Sequence, residues 1–344
     1  MNLKIFKNNI LTNISYIFKL EKNLGKPFIR ALEPTNSCMM DCIMCPRKSM
    51  KRKVEFMKMD LFKKIIDQAK WNESIWLHFF GESLLHPKIC EMIKYSNDKG
   101  IKARLSVNPK LLSEKMAEKL IDAGLNDLHI SLDAMDDKTY KDLRGKNANY
   151  DEAVKNINTM LMVKNKKKSK MIIELSFIRM KINKNLAENF RKMWGNKKGL
   201  DFVKIKNFTT WDSSDESIIN LGDEDTYSDM FKGLKIRNYC SEPWLAVSIT
   251  ADGKVVPCCF DCHQKYVLGD LNTESLEKIW NNERMMLLRR QIKNKKFNEN
   301  NLCKSCKEHM ELSVLRLRPK HIITVPRRLF KKIFKIKPKH VEQI

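Results

Sequence analysis

Cys38-Met-Met-Asp-Cys42-Ile-Met-Cys45-Pro-Arg47 is the stretch on which the reading of this chain turns. Its cysteines are spaced C-x3-C-x2-C, so three thiolates from one short loop can face a single inorganic centre. The irons of a [4Fe–4S] cluster are normally held by cysteine thiolates, and a cubane has four irons. Three local cysteines leave one iron without a protein ligand, open to a substrate or cosubstrate. A structural zinc site closes four ligands around its metal, so a lone trio fits it poorly.

Working outward, Phe28-Ile-Arg-Ala-Leu-Glu33 reads as a strand that feeds the cysteine loop. Beyond the loop, helical and strand patterns alternate. A helix over 60–71 precedes a strand over 74–80, then a helix over 86–99 and a strand over 101–107. Ser113 opens a helix that runs to Gly124, and the strand 128–132 is followed by helical segments across 136–165. A strand over 171–178, a helix over 184–194 and a strand over 201–207 complete the series. This pattern implies an α/β fold in which a parallel sheet carries helices outside and curves into a partial (β/α)6 barrel. Ligand sites in such folds gather at the C-terminal ends of the strands, where the cysteine loop sits.

The cysteine spacing resembles that of the radical S-adenosylmethionine (SAM) enzymes. The resemblance implies a [4Fe–4S] cluster held by Cys38, Cys42 and Cys45, with SAM chelated to the open iron and cleaved to a 5′-deoxyadenosyl radical. Phe80-Gly81-Glu82-Ser83 resembles the family's Gly-Gly-Glu-Pro motif, which holds the SAM amino group, with Phe80 and Ser83 as departures. Ser131 and Arg144 match the family positions that contact the SAM carboxylate, for which an arginine fork is chemically suited. Asn108 stands at the place of a residue near the SAM ribose, although Pro109 follows where Gly is usual. Met44 is placed to back the adenine. His78 and His86 read as structural, and Cys90 as a small apolar residue on an outer helix.

A second cysteine set follows: Cys240, Cys258, Cys259, Cys262, Cys303 and Cys306. Asp252-Gly253 between apolar runs signals a hairpin that draws Cys240 and Cys258 together at its base. The set resembles the SPASM and shortened "twitch" extensions of radical SAM enzymes. That likeness implies one auxiliary [4Fe–4S] cluster on Cys240, Cys258, Cys303 and Cys306. Cys259 and Cys262 are left to shield that cluster or to help hold a second centre. The rival reading is a zinc ribbon of Cys259-x2-Cys262 with Cys303-x2-Cys306, but its 40-residue gap exceeds the usual spacing.

The expected organisation is an N-terminal amphipathic helix (1–27), a radical SAM core (28–208), a polar linker (209–239), an auxiliary cluster domain (240–312) and a basic tail (313–344). Leu3, Phe6, Ile10, Ile14, Ile17 and Phe18 recur at helical spacing, which predicts a helix packed on the core, with a membrane-surface helix as the second reading. The net charge of +25 is mostly terminal, with +5 in residues 1–30 and +9 in residues 314–344. The tail segment 326–338 pairs a Leu329, Phe330, Ile333, Phe334 face with lysines and arginines, suited to an anionic membrane or an acidic partner, with a solvated, partly disordered tail as the equal alternative. No base-reading motif accompanies the charge, so no specific nucleic acid is expected. Ten cysteines without a secretory leader point to a reducing, cytoplasmic compartment.

The resemblance implies an oxidoreductase that takes hydrogen from a carbohydrate-like small molecule, with the auxiliary cluster as electron acceptor and a flavodoxin or ferredoxin as reductant. The alternative is a maturase acting on a peptide or protein side chain, against which stand the only 37 residues before Cys38. No His–Asp pair or isolated carboxylate stands out in the sequence as the proton acceptor.

Overall fold

The strands grow from short runs in which apolar and polar residues alternate, because successive strand side chains point to opposite faces. In Lys102–Val107, Ala103, Leu105 and Val107 are buried while Lys102, Arg104 and Ser106 are not. The computed structural model describes residues 3–211, 215–222, 236–238, 240–306 and 310–312.

Helix α1 (Leu3–Ile17) precedes strand β1 (Ile29–Leu32) and the cysteine loop. The alternating series then runs α2 (Met59–Gln68), β2 (Ser74–Trp76), α3 (Ile89–Asp98), β3 (Lys102–Val107), α4 (Glu114–Asp122) and β4 (Asp127–Ser131). It continues through α5 (Asp137–Arg144), α6 (Tyr150–Lys166), β5 (Ile172–Arg179), α7 (Ala187–Trp194) and β6 (Phe202–Asn207). The later segment supplies α8 (Glu216–Ile219), β7 (Ile236–Asn238), α9 (Glu242–Leu245), β8 (Val247–Ile249) and β9 (Lys254–Val256). After these come β10 (Gly269–Asp270), α10 (Leu276–Trp280), α11 (Glu283–Lys293) and β11 (Met310–Leu312). Side chains cap the helices where the sequence suggests: Ser113 Oγ accepts from the Met116 N–H and opens α4.

Strands β1 to β6 lie side by side in chain order, all parallel. On the other side of β1 the cysteine-rich segment joins the same sheet: β8 pairs with β1 in parallel, and β9 and β10 follow antiparallel. The nine-stranded sheet ends on β10 and β6 and does not close. A separate antiparallel pair, β7 with β11, flanks Cys240 and Cys306 in sequence. The main core fills the space between the helices and one face of the sheet.

Several boundaries and one helix face differ from the sequence reading. Strand β2 ends at Trp76, four residues before the expected end, and the Phe80 N–H goes to the Glu33 carboxylate instead of to a neighbouring strand. Helix α3 starts at Ile89 because Pro87 offers no N–H and His86 Nδ1 takes the Lys88 N–H in its place. The apolar stripe of α1 largely faces away from the core, with only Phe6 and Ile14 half-buried. Ile5, Asn8, Thr12 and Ser15 are buried, whereas Leu3, Ile10, Ile17 and Phe18 face outward. The cause is polar: Asn8 bonds both the N–H and the carbonyl of Lys26, and Ser15 Oγ accepts from the Leu24 N–H.

The later segment is stitched onto residues 20–25. Trp244 Nε1 donates to the Leu20 carbonyl, Trp280 Nε1 donates to the Gly25 carbonyl, and buried Arg289 donates to the carbonyls of Glu21, Pro243 and Trp280. Among the described residues no helix is long and apolar enough to cross a membrane. The expected amphipathic tail at 326–338 and most of the linker, 209–239, lie outside the described residues.

Candidate active site

The cysteine loop is held by backbone contacts to the end of α5. The Asp41 N–H donates to the Arg144 carbonyl at 3.1 Å and the Ile43 N–H to the Leu143 carbonyl at 3.0 Å. Gly145 makes this approach possible: its φ is +89°, and a Cβ there would lie 2.8 Å from Asp41. Burial pushes the Cys38 and Cys45 thiols up to about 11, and Cys42 lies within electrostatic reach of both. Three thiols from one loop within electrostatic reach of one another suit the irons of a cluster. Among the described residues, no three His, Cys, Asp or Glu side chains converge on a single-ion position. A cluster does not require that convergence, since each thiolate binds a different iron.

Arg144 is buried, and its guanidinium pairs with Asp133 while Nη1 lies 3.5 Å from Cys42 Sγ. Burial opposes its charge, but Asp133 and Cys42 more than offset that, so it stays a cation beside the thiols. Asp133 adopts φ 61°, and its Oδ1 also accepts from the Ile178 N–H at 2.6 Å. Met44 is buried against Leu143, Met180, Phe208 and Ile218, beside Cys42.

Gly81, Glu82 and Asn108 form a second group. Gly81 has φ +94°, and a Cβ there would meet the Thr35 carbonyl at 2.4 Å, so the glycine serves the approach of the turn to the segment entering the cysteine loop. Glu82 is buried, with Oε1 accepting from the Leu84 N–H and Oε2 from the Asn108 N–H. Burial raises its pKa to about 7 against those two bonds. Asn108 caps the turn Pro109–Leu111 and donates to Tyr140 at 3.3 Å. Ser131, at the end of β4, has its Oγ 3.4 Å from that of Ser176. His86 is structural as expected, with Nε2 3.0 Å from the Met57 carbonyl.

Strand register brings together residues that the sequence keeps far apart. Ser106 of β3 is level with His129 of β4, and His129 with Glu174 of β5. The neighbours of these residues along each strand, such as Leu105, Ile130 and Leu175, pack in the main core, so the polar members line the opposite, inner face. His129 Nδ1 is 3.2 Å from Glu174 Oε1, and Lys206 Nζ is 3.2 Å from the same oxygen. The His129 ring meets Trp76 edge-on at 4.5 Å, and Arg104 stacks on Trp76 at 4.2 Å. Burial pushes both His78 and His129 down to about 4, so both are neutral at pH 7, and buried His78 Nδ1 has no hydrogen-bond partner among the described residues. The sequence reading missed the His129–Glu174 dyad because 44 residues separate its members.

The second cysteine set also assembles. Cys240 lies within electrostatic reach of Cys303 and Cys306, and Cys258 within reach of Cys240. Burial pushes Cys240 and Cys258 well above the usual thiol range and Cys303 up to about 12. Buried Cys262 and half-buried Cys259 pack instead with Phe79, Phe80 and Cys45, on the side of the first cysteine loop. Arg30, paired with Glu242, adds a cation near Cys258 and Cys259 that sequence reasoning did not single out. Trp211 bridges the two regions, with ring centroids 6.2 Å from Phe80 and 5.5 Å from Phe260.

Comparison with known proteins agrees with this arrangement. The profile of the Radical SAM superfamily matches residues 32–173, and that of the SPASM iron–sulfur cluster-binding domain matches residues 240–307. The S-adenosyl-L-methionine-dependent 2-deoxy-scyllo-inosamine dehydrogenase of Niallia circulans is 22% identical over 282 residues, covering 80% of this chain and 90% of that protein. The tungsten-containing aldehyde ferredoxin oxidoreductase cofactor-modifying protein of Pyrococcus furiosus is 31% identical over 107 residues, so the chain spans only 30% of that relative's length. Streptococcus suis SuiB bound to precursor peptide SuiA superposes with a TM-score of 0.57 at 16% identity, covering 85% of this chain and 74% of that one, which establishes a shared fold.

Proposed function

As the chain belongs to the radical SAM superfamily and carries a C-terminal SPASM iron–sulfur cluster-binding domain, we propose that it dehydrogenates a hydroxylated, carbohydrate-like small molecule. The observation that carries this reading is the His129–Glu174 dyad on the polar inner face of the sheet. The near full-length similarity to an inosamine dehydrogenase supports it.

Cys38, Cys42 and Cys45 hold the SAM-binding [4Fe–4S] cluster in this proposal, and Cys240, Cys258, Cys303 and Cys306 hold the auxiliary one. When bound, these groups supply a 5′-deoxyadenosyl radical that removes a substrate hydrogen atom and an acceptor for the second electron. The chain's residues supply the rest. Arg144, charged and fixed by Asp133, is the cation for the SAM carboxylate. Gly81, Glu82 and Asn108 shape the turn that receives the amino group and ribose, Ser131 joins the carboxylate contacts, and Met44 backs the adenine. His129 Nδ1 lies 3.2 Å from Glu174, and in this proposal Nδ1 carries the proton while the Nε2 lone pair accepts the substrate hydroxyl proton. Arg104, Ser106, Lys206 and Trp76 offer hydrogen bonds and an aromatic edge to a polyhydroxylated ring. A low-potential flavodoxin or ferredoxin is the electron donor.

The test uses anaerobically reconstituted protein with SAM, dithionite and 2-deoxy-scyllo-inosamine deuterated at its carbinol carbons. Deuterium in 5′-deoxyadenosine together with a ketone product is the expected result. If aminocyclitols and sugars give neither, while a peptide donates its hydrogen, the substrate class is a peptide and the proposal falls.

A further inference from the structure

Helix α1 is amphipathic the wrong way round for a helix that packs on a core. Its inward side is largely polar: Asn8, Thr12 and Ser15 are buried, and Gly25 packs so closely that a Cβ there would lie 2.1 Å from Thr12 Oγ1. Its outward side carries Leu3, Ile10 and Ile17, spaced seven residues apart and hence nearly in line at 3.6 residues per turn. Leu11 and Phe18 widen the stripe, within which exposed Lys7 also lies; Leu3 and Phe18 are 65% and 69% exposed. Exposed apolar residues scattered singly are ordinary, but a continuous stripe marks an interaction surface.

Charge identifies the occupant. The only charged residues within α1 are Lys4 and Lys7, and Lys19 and Lys22 follow directly. The one acid in this region, Glu21, is neutralised by Arg290 at 2.7 Å. We propose that α1 lies in the interface of an anionic lipid bilayer, its apolar stripe in the headgroup–acyl boundary and its lysines among the phosphates. A second copy of this chain, at +25, would bring the same lysines against each other, and the segment 326–338, with six lysines and arginines, would set further cations against them. An anionic bilayer satisfies both halves of the face.

The experiment is co-sedimentation of the full-length, iron-loaded protein with vesicles of phosphatidylcholine, with and without phosphatidylglycerol. Binding only to the phosphatidylglycerol vesicles, weakened by salt, is expected. In the double variant I10E/F18E the bound fraction falls about tenfold or more at equal lipid, while iron content is unchanged because both side chains point away from the fold. In F330E/F334E binding through α1 persists. No vesicle binding by the wild type overturns the proposal. So does binding that I10E/F18E retains and F330E/F334E loses. A wild-type dimer that I10E/F18E dissociates, with no lipid binding, assigns the face to a second copy and equally overturns it. None of these readouts depends on the substrate.

Discussion

Glu33, fully buried, and Arg52, partly buried, form a bidentate ion pair, with Nη1 and Nη2 at 2.8 and 2.9 Å from the two carboxylate oxygens. The pair is a junction of four segments. Glu33 also accepts from the Phe80 and Ala251 N–H groups, and Arg52 Nε donates to the Cys262 carbonyl. The end of β1, the turn after β2, the loop carrying Arg52 and the hairpin of the auxiliary segment therefore meet at one place. That junction fixes the two cysteine sets relative to each other.

Removing one partner, as in Arg52→Met, leaves a buried carboxylate unpaired and is expected to cost about 3–5 kcal/mol in chemical denaturation. The double change E33L/R52M recovers much of that loss, since a buried pair replaced by apolar residues of similar size is often neutral. Equal losses in the single and double variants would show that the pair is not the source.

His129→Gln keeps the shape of the inner face but removes the proposed proton acceptor. Hydrogen abstraction, read as deuterium in 5′-deoxyadenosine, should persist while ketone formation falls about 100-fold or more. Glu174→Gln should fall less, because the imidazole remains and only its orientation is lost. Parallel loss of both readouts would instead indicate a structural role for the dyad.

Acid should destabilise the protein. His78 and His129, both held down to about 4 by burial, contribute stability that is complete above the ordinary histidine range near 6.5 and is lost as pH falls toward 4. Glu82, raised to about 7 by burial, works in the opposite sense and stabilises toward acid. At about 3 kcal/mol for each group, two histidines against one carboxyl leave a net loss of about 3 kcal/mol between pH 7 and 4. Denaturation midpoints of wild type and of His129→Gln across that range check the sign, the variant losing less. The same shift keeps His129 neutral, so ketone formation should be flat above about pH 5.

Iron analysis separates the two cysteine sets. Reconstituted wild type is expected to hold roughly eight irons, and the C38A/C42A/C45A variant about four. A C303A/C306A variant should keep the SAM-binding cluster and its SAM cleavage while losing ketone formation. Zinc in the second set, or roughly twelve irons in the wild type, would contradict the assignment of one four-cysteine auxiliary cluster.

Local spacing made much of this protein legible. The run Cys38 to Cys45, the alternation of helix and strand patterns, the Ser113 cap and the Asp252-Gly253 hairpin each express physics confined to a few neighbouring residues, and each is found in the fold. What lay beyond the sequence was contact across distance. Strand register sets His129 against Glu174, the Lys206 side chain reaches the same carboxylate from four residues along β6, and joining β8 to β1 makes the Glu33–Arg52 junction possible. The face that α1 turns inward was likewise decided by partners: helical spacing shows that a stripe exists, but the hydrogen bonds of Asn8 and Ser15 to residues 24–26 choose which side is buried. Periodicity is a property of the segment, whereas burial is a property of what the segment meets.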